Sequence, residues 1–118
     1  MILKELKNHY GGIGWYAIEG RFDIIMDMIE QSPSDGLFDI YKELEELYPD
    51  RCFNVRVKCV RIYAKQANKR ADYRWIARNL KKISKYNGGM EVARNLAEEF
   101  VEMYPRRSAM IDELRSFL

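Results

Sequence analysis

The chain has 118 residues, of which 47% are hydrophobic, and a formal net charge of +2. That length suits one domain, and that apolar share supplies a packed core, which excludes a disordered chain. No apolar run approaches the ~20 residues of a membrane span, and the amphipathic start from Met1 to Lys7 lacks the apolar stretch of a signal peptide. The expectation is therefore a single cytoplasmic domain over residues 1–118, with no membrane contact.

A short first helix is predicted from about Ile2 to His9, broken by Tyr10-Gly11-Gly12-Ile13-Gly14. A second is predicted from Trp15 to Gln31, with Ile18, Phe22, Ile25 and Ile29 at spacings of three and four and Gly20 as a weak point. Ser32-Pro33-Ser34-Asp35 reads as a turn whose Ser34 or Asp35 caps the next helix. That third helix directs Leu37, Ile40, Tyr41, Leu44 and Tyr48 inward and carries an acidic stripe of Asp35, Asp39, Glu43 and Glu46. Pro49 ends it, and Asp50 suits the cap of a fourth.

The fourth segment, about Arg51 to Lys69, contains an alternation from Phe53 to Cys59 that resembles a strand. The longer window favours a helix, because Arg51, Lys58, Arg61, Lys65 and Lys69 fall within about 80° on a helical wheel. Cys52 and Cys59 share a face of it. The helical rise alone separates them by ~10.5 Å, beyond the ~7 Å limit for a disulfide, so they read as small buried residues.

Asp72 is placed as the cap of a fifth helix ending at Tyr86. Its buried stripe is Tyr73, Ile76, Ala77, Leu80 and Ile83, and the opposite stripe is Arg74, Arg78, Lys81 and Lys85. Asn87-Gly88-Gly89 is a C-cap signal. A sixth helix turns Met90, Ala93, Ala97, Phe100, Val101 and Tyr104 inward and ends at Pro105. The last runs from Ser108 to Phe117.

Charge is segregated along the chain. Residues 1–50 carry four Lys/Arg against eleven Asp/Glu, residues 51–86 carry twelve against the single acid Asp72, and residues 87–118 carry four against six. Glu46-Leu47-Tyr48-Pro49-Asp50-Arg51 reads like Glu102-Met103-Tyr104-Pro105-Arg106-Arg107. The helices pair from Trp15, Arg51 and Met90, at the ~36–39-residue period of helical-repeat arrays. The expected architecture is all-α: a right-handed stack of antiparallel helical hairpins with about six to seven helices.

Leu80, Ala93 and Pro105 stand at offsets that resemble tetratricopeptide-type hairpins, and Ile24, Leu37 and Pro49 repeat those offsets. Lys81 and Ser84 occupy the places where that family has glycine and tyrosine. The last ~46 residues, through Tyr73-Arg74-Trp75-Ile76, Asn87-Gly88-Gly89, the segment from Tyr104 to Met110, and Leu114, resemble the helical tail that follows SWIM-type zinc fingers. The finger's own Cys-x-Cys and Cys-x-His pattern is missing, so the resemblance implies an interaction segment and no zinc.

Catalytic signals are lacking. His9 is the only histidine, and it suits the C-terminal dipole of its helix better than a general base. One His and two Cys on a single helix do not make a four-ligand zinc set. Gly11-Gly12-Ile13-Gly14 follows no strand and lacks the Gly-Lys-Ser/Thr ending of a phosphate loop. No cofactor is expected, and the chain reads as a non-enzyme. The expected function is a helical-repeat module that binds a protein partner through the row Arg74, Arg78, Lys81 and Lys85. The alternative is a nucleic-acid-binding module in which Lys58, Arg61 and Lys65 join that row into a phosphate-neutralising ridge, with Trp75 and Tyr86 beside it to stack on bases. A second copy of the chain is a further candidate partner.

Overall fold

The computed structural model describes residues 10–118, with side chains from Ile13 onward. The expected helix from Ile2 to His9 lies outside the described residues. The elements are α1 (Tyr10–Ile18), α2 (Phe22–Gln31), α3 (Gly36–Ile40), α4 (Glu43–Leu47), α5 (Pro49–Gln66), α6 (Arg70–Ser84), α7 (Gly89–Met103) and α8 (Ser108–Leu114), with a final 3-10 turn at Arg115–Phe117. Among the described residues there is no strand. By internal contacts the chain forms two units, one ending at Val55 and one from Arg56 to Leu118, with the boundary inside α5.

In the first unit, α1 runs through the glycines expected to break it. Each glycine costs a helix about 1 kcal/mol, a cost that packing offsets: α1 lies against α2, and the bare Gly14 backbone faces the Tyr41 hydroxyl. The break falls at Gly20 instead, dividing the expected helix from Trp15 to Gln31. Gly20 takes φ +73°. Its N–H donates to the Ala17 carbonyl at 3.1 Å, and the Arg21 N–H donates to the Tyr16 carbonyl at 2.8 Å. This pair of bonds is a Schellman closure, which needs a left-handed residue and so selects glycine.

The expected third helix is also divided. The backbone at Tyr41 leaves the helical region, at φ −114° and ψ 84°, and separates α3 from α4. The turn reassigns the inward positions: Phe38 and Leu44 are buried, Ile40 is 67% exposed, and Leu37, Tyr41 and Tyr48 are half-buried. Tyr41 meets the ring of Phe22 with centroids 6.5 Å apart. Pro49 is the first residue of α5, where its missing N–H is no loss, and it holds Tyr48 out of the helical conformation. Ile25, Met26, Ile29, Phe38, Leu44, Cys52 and Val55 form this unit's core. The Cys52 thiol lies 3.4 Å from the Leu44 carbonyl and 3.8 Å from the Met26 sulfur.

In the second unit the α5 residues continue as a helix through the strand-like alternation. α6 follows the expected periodicity, burying Tyr73, Ile76, Leu80 and Ile83, with Ala77 half-buried. Asn79 is buried in the same helix and donates Nδ2 to the Trp75 carbonyl at 2.9 Å. α6 packs against both α7 and α8. α7 turns Ala93, Leu96, Ala97 and Phe100 inward, and its alanines present little bulk to the neighbouring helices. Met90, expected inside, is 77% exposed, and Val101 and Tyr104 are half-buried.

The α6–α7 turn depends on two glycines. Gly88 takes φ +73°. A Cβ on Gly89 would overlap the Ile83 carbonyl and stand 3.3 Å from the Tyr86 Cβ. Gly20 has a similar φ, but nothing lies within 4 Å of a Cβ there. Gly20→Ala is expected to cost about 1–2 kcal/mol, the left-handed penalty alone. Gly89→Ala is expected to cost more, because backbone has to move. Chemical denaturation of the two single variants checks this, and equal losses would exclude the close approach at Gly89.

Candidate functional site

The buried stripe of α6 leaves the opposite side of that helix to water. Arg74, Arg78, Lys81 and Lys85 are all exposed there, within one face because their spacings are four, three and four. They are not electrostatically alike. Arg74 donates Nε to Glu113 of α8 at 3.3 Å, and Arg70 donates to the same carboxylate oxygen at 2.9 Å and to Asp112 at 3.3 Å. Arg78, Lys81 and Lys85 form no ion pair among the described residues. The structure therefore brings all four predicted residues together and leaves three of them uncompensated.

The predicted residues of α5 divide in the same way. Arg61 makes a two-pronged contact with Glu99 of α7, both bonds at 3.1 Å. Lys58 and Lys65 are exposed and without an ion pair among the described residues. Arg61 is drawn toward α7 while Arg74 is drawn toward α8, so each row is anchored by a different helix.

Trp75 is half-buried, with its ring stacked on Tyr63 at a centroid distance of 4.0 Å and an interplanar angle of 33°. Tyr63 donates its hydroxyl to Asp72 at 3.1 Å. Burial, reinforced by that carboxylate, raises the Tyr63 phenol above its usual range. Tyr86 accepts from the Nε of Arg56, which is buried, at 2.9 Å. Both aromatics expected to flank the basic row thus have intramolecular partners.

Asp72 is not the N-cap of α6. That position belongs to Lys69, in extended conformation, while Asp72 sits three residues on and accepts the Asn68 N–H at 3.1 Å. The backbone bond from Asn68, aided by the Tyr63 hydroxyl, holds the Asp72 carboxyl below its ordinary value.

Arg107 is a structural residue that sequence reasoning passed over. It donates to the Ala64 carbonyl at 2.5 Å and reaches the Lys65 carbonyl at 3.5 Å, closing the C-terminal end of α5. Its guanidinium lies 3.8 Å from the centre of the Tyr104 ring. Arg51 stands over Tyr48 at 5.2 Å while it binds Glu30 at 2.5 Å and Asp27 at 2.6 Å. The two Tyr-Pro-x-Arg segments share local geometry: Tyr48 has φ −132° and ψ 59°, and Tyr104 has φ −128° and ψ 60°. The shared Tyr-Pro-x-Arg spelling was the signal that could have singled out Arg107.

Among the described residues, no group of three His, Cys, Asp or Glu is arranged to hold a metal ion, and no helix is long and apolar enough to cross a membrane. No family model, curated protein or solved structure matches the chain significantly.

A carboxyl held below its unfolded value contributes stability that is complete above about pH 5 and is lost as pH falls through the unfolded and then the lower, folded value. Asp72→Asn is therefore expected to flatten the acid limb of the stability curve between about pH 5 and pH 2. Urea titrations across that range measure it. An unchanged acid limb in the variant would remove Asp72 from the acid sensitivity of the fold.

Proposed function

We propose that the chain is a non-enzymatic, helical-hairpin interaction module that holds an acidic protein segment along the exposed face of α6. One observation carries this reading: Arg78, Lys81 and Lys85 remain uncompensated on a single rigid face, beside an Arg74 already committed to Glu113. A row of charge on a packed helix selects and steers an oppositely charged partner more than it adds raw affinity.

Two features favour a protein partner over nucleic acid. Arg51, Arg61, Arg70 and Arg74 all spend their guanidinium groups on carboxylates within the fold. Those bidentate groups are the strongest phosphate binders. Trp75 and Tyr86, the candidates for stacking on bases, are engaged with Tyr63 and Arg56. We read α6, α7 and α8 as part of a right-handed hairpin stack of the tetratricopeptide or HEAT kind. What supports this is that α8 packs chiefly on α6, the first helix of the preceding hairpin.

The test is fluorescence anisotropy with a labelled acidic helical peptide and with labelled single- and double-stranded DNA and RNA, at about 0.1 M salt. The peptide is expected to bind, and the exposed double change Arg78→Glu/Lys81→Glu to weaken it roughly tenfold or more, about 1.4 kcal/mol, with helicity unchanged by circular dichroism. Tight nucleic-acid binding with a steep salt dependence, and none to the peptide, would overturn the proposal in favour of a phosphate ligand.

A further inference from the structure

An acidic counterpart of the α6 row stands on the same unit. Helix α7 carries Glu91, Asn95, Glu98 and Glu102 at spacings of four, three and four, all exposed. Those spacings put the four within about 60° on a helical wheel, opposite the buried Ala93, Leu96, Ala97 and Phe100. None of the three glutamates forms an ion pair among the described residues. The acid of α7 that the fold does use is Glu99, against Arg61. Arg94 stands at the edge of the stripe, exposed and also without an ion pair among the described residues, so three carboxylates face water beside one cation. Met90 and Met103, next to Glu91 and Glu102 at the two ends, are 77% and 59% exposed.

The α6 row, Arg74, Arg78, Lys81 and Lys85, has the same spacings. Both stripes therefore run ~16.5 Å along their axes. Four, three, four reads alike in both directions, so the stripes match position for position when the helices are antiparallel. Lys85 then faces Glu91, Lys81 faces Asn95, Arg78 faces Glu98 and Arg74 faces Glu102. Each of these pairs is centred in sequence on Gly88, in the turn between α6 and α7. The register is thus the one the hairpin already sets, and a second hairpin laid alongside continues the alternation of helix directions. Within one copy the stripes do not meet, because α6 and α7 pack through their buried sides.

We infer that α6 of one copy of the chain binds α7 of another, so that the acidic segment held by the basic row is this chain's own α7. This rests on the reading of the α6 face proposed above and names its occupant. Lys85 with Glu91 and Arg78 with Glu98 join groups that are uncompensated on both sides. Lys81 meets the Asn95 amide, and Glu102 adds to an Arg74 already bound to Glu113. Exposed charge pairs add little affinity. They set register and exclude like-charged alternatives, while the two methionines beside the stripe supply apolar area. The two surfaces differ, so the contact is heterologous and repeats head to tail.

Sedimentation equilibrium of the full chain, with the acidic helical peptide as competitor, tests it. At about 0.1 M salt the mean mass is expected to rise with concentration above that of the monomer. It should return toward the monomer at about 1 M, where the screening length shrinks from about 10 Å to about 3 Å. Excess peptide should do the same, because it takes the same face. Glu91→Lys/Glu98→Lys and Arg78→Glu/Lys85→Glu are each expected to be monomeric alone. Mixed in equal amounts they should associate, since the basic row of the first then meets the acidic stripe of the second. Glu91→Gln/Glu98→Gln keeps the side-chain shape, and should weaken association at least tenfold even if a reversed variant misfolds. That variant should bind the peptide as the parent does. A parent that stays monomeric at every concentration in low salt, a mixture of the folded variants that stays monomeric, or full association by Glu91→Gln/Glu98→Gln would each overturn the inference. If the peptide still binds the parent in that case, the proposed function stands without it; if neither peptide nor second copy binds, both fall.

Discussion

Helix α6 has Tyr73, Ile76, Leu80 and Ile83 along one side, and its neighbours exist in the second unit to cover them. Burying a large apolar side chain is worth about 1.5–3 kcal/mol each, so no rotation of this helix that uncovers the stripe is tolerated. The 3.6-residue period then leaves no freedom for positions 74, 78, 81 and 85: burying one side fixes the other in water. The basic row is held in place by the core behind it. Gly88 and Gly89 serve the same constraint, since the turn they form lets α7 return close to the end of α6. Arg107 closes the end of α5, helping to fix that helix, whose Tyr63 packs against Trp75.

The long amphipathic helices were legible in the sequence because their stripes span several turns, and a pattern of that length outweighs a local strand-like alternation such as Phe53 to Cys59. The short elements were not. α3 and α4 are five residues each, too short for periodicity to locate the turn at Tyr41, and once that turn exists the inward set shifts from Ile40 to Phe38. Gly11, Gly12 and Gly14 were read as breakers by propensity alone, yet packing of α1 on α2 outweighs propensity there. Gly20 differs because its backbone enters the left-handed region, which propensity marks only as a weak point. For the candidate site, the four residues of the α6 row were legible as a group. Their inequality was not, because Glu113 lies 39 residues from Arg74 in sequence and only folding brings them together.

Summing charge over blocks of sequence overstates the basic character of residues 51–86. Glu99, Asp112 and Glu113 come from the next block and fold back onto Arg61, Arg70 and Arg74. Arg51 is met from the other direction by Asp27 and Glu30. The acids of both flanking segments are therefore partners to specific guanidinium groups, and the basic block is neutralised along its edges. What remains outward is a smaller set of cations on the faces of α5 and α6.

That remainder has a distinct chemistry. The arginines of these rows, Arg78 excepted, are engaged within the fold: Arg51 and Arg61 each match one carboxylate with two bonds, and Arg74 makes a single bond to Glu113. The cations left outward, Lys58, Lys65, Arg78, Lys81 and Lys85, are mostly lysines, whose strongly hydrated point charges on flexible stems gain little from any single exposed ion pair. A surface of that kind offers point charges and, apart from Arg78, no free bidentate fork. It attracts at a distance, discriminates by sign and releases readily when salt is raised. Affinity on such faces has to come from apolar side chains set among the charges, and on α5 that residue is Ile62. On the function proposed above, this division of labour between guanidinium groups inside and ammonium groups outside would suit α6 to reversible, charge-selected contact with an acidic protein segment.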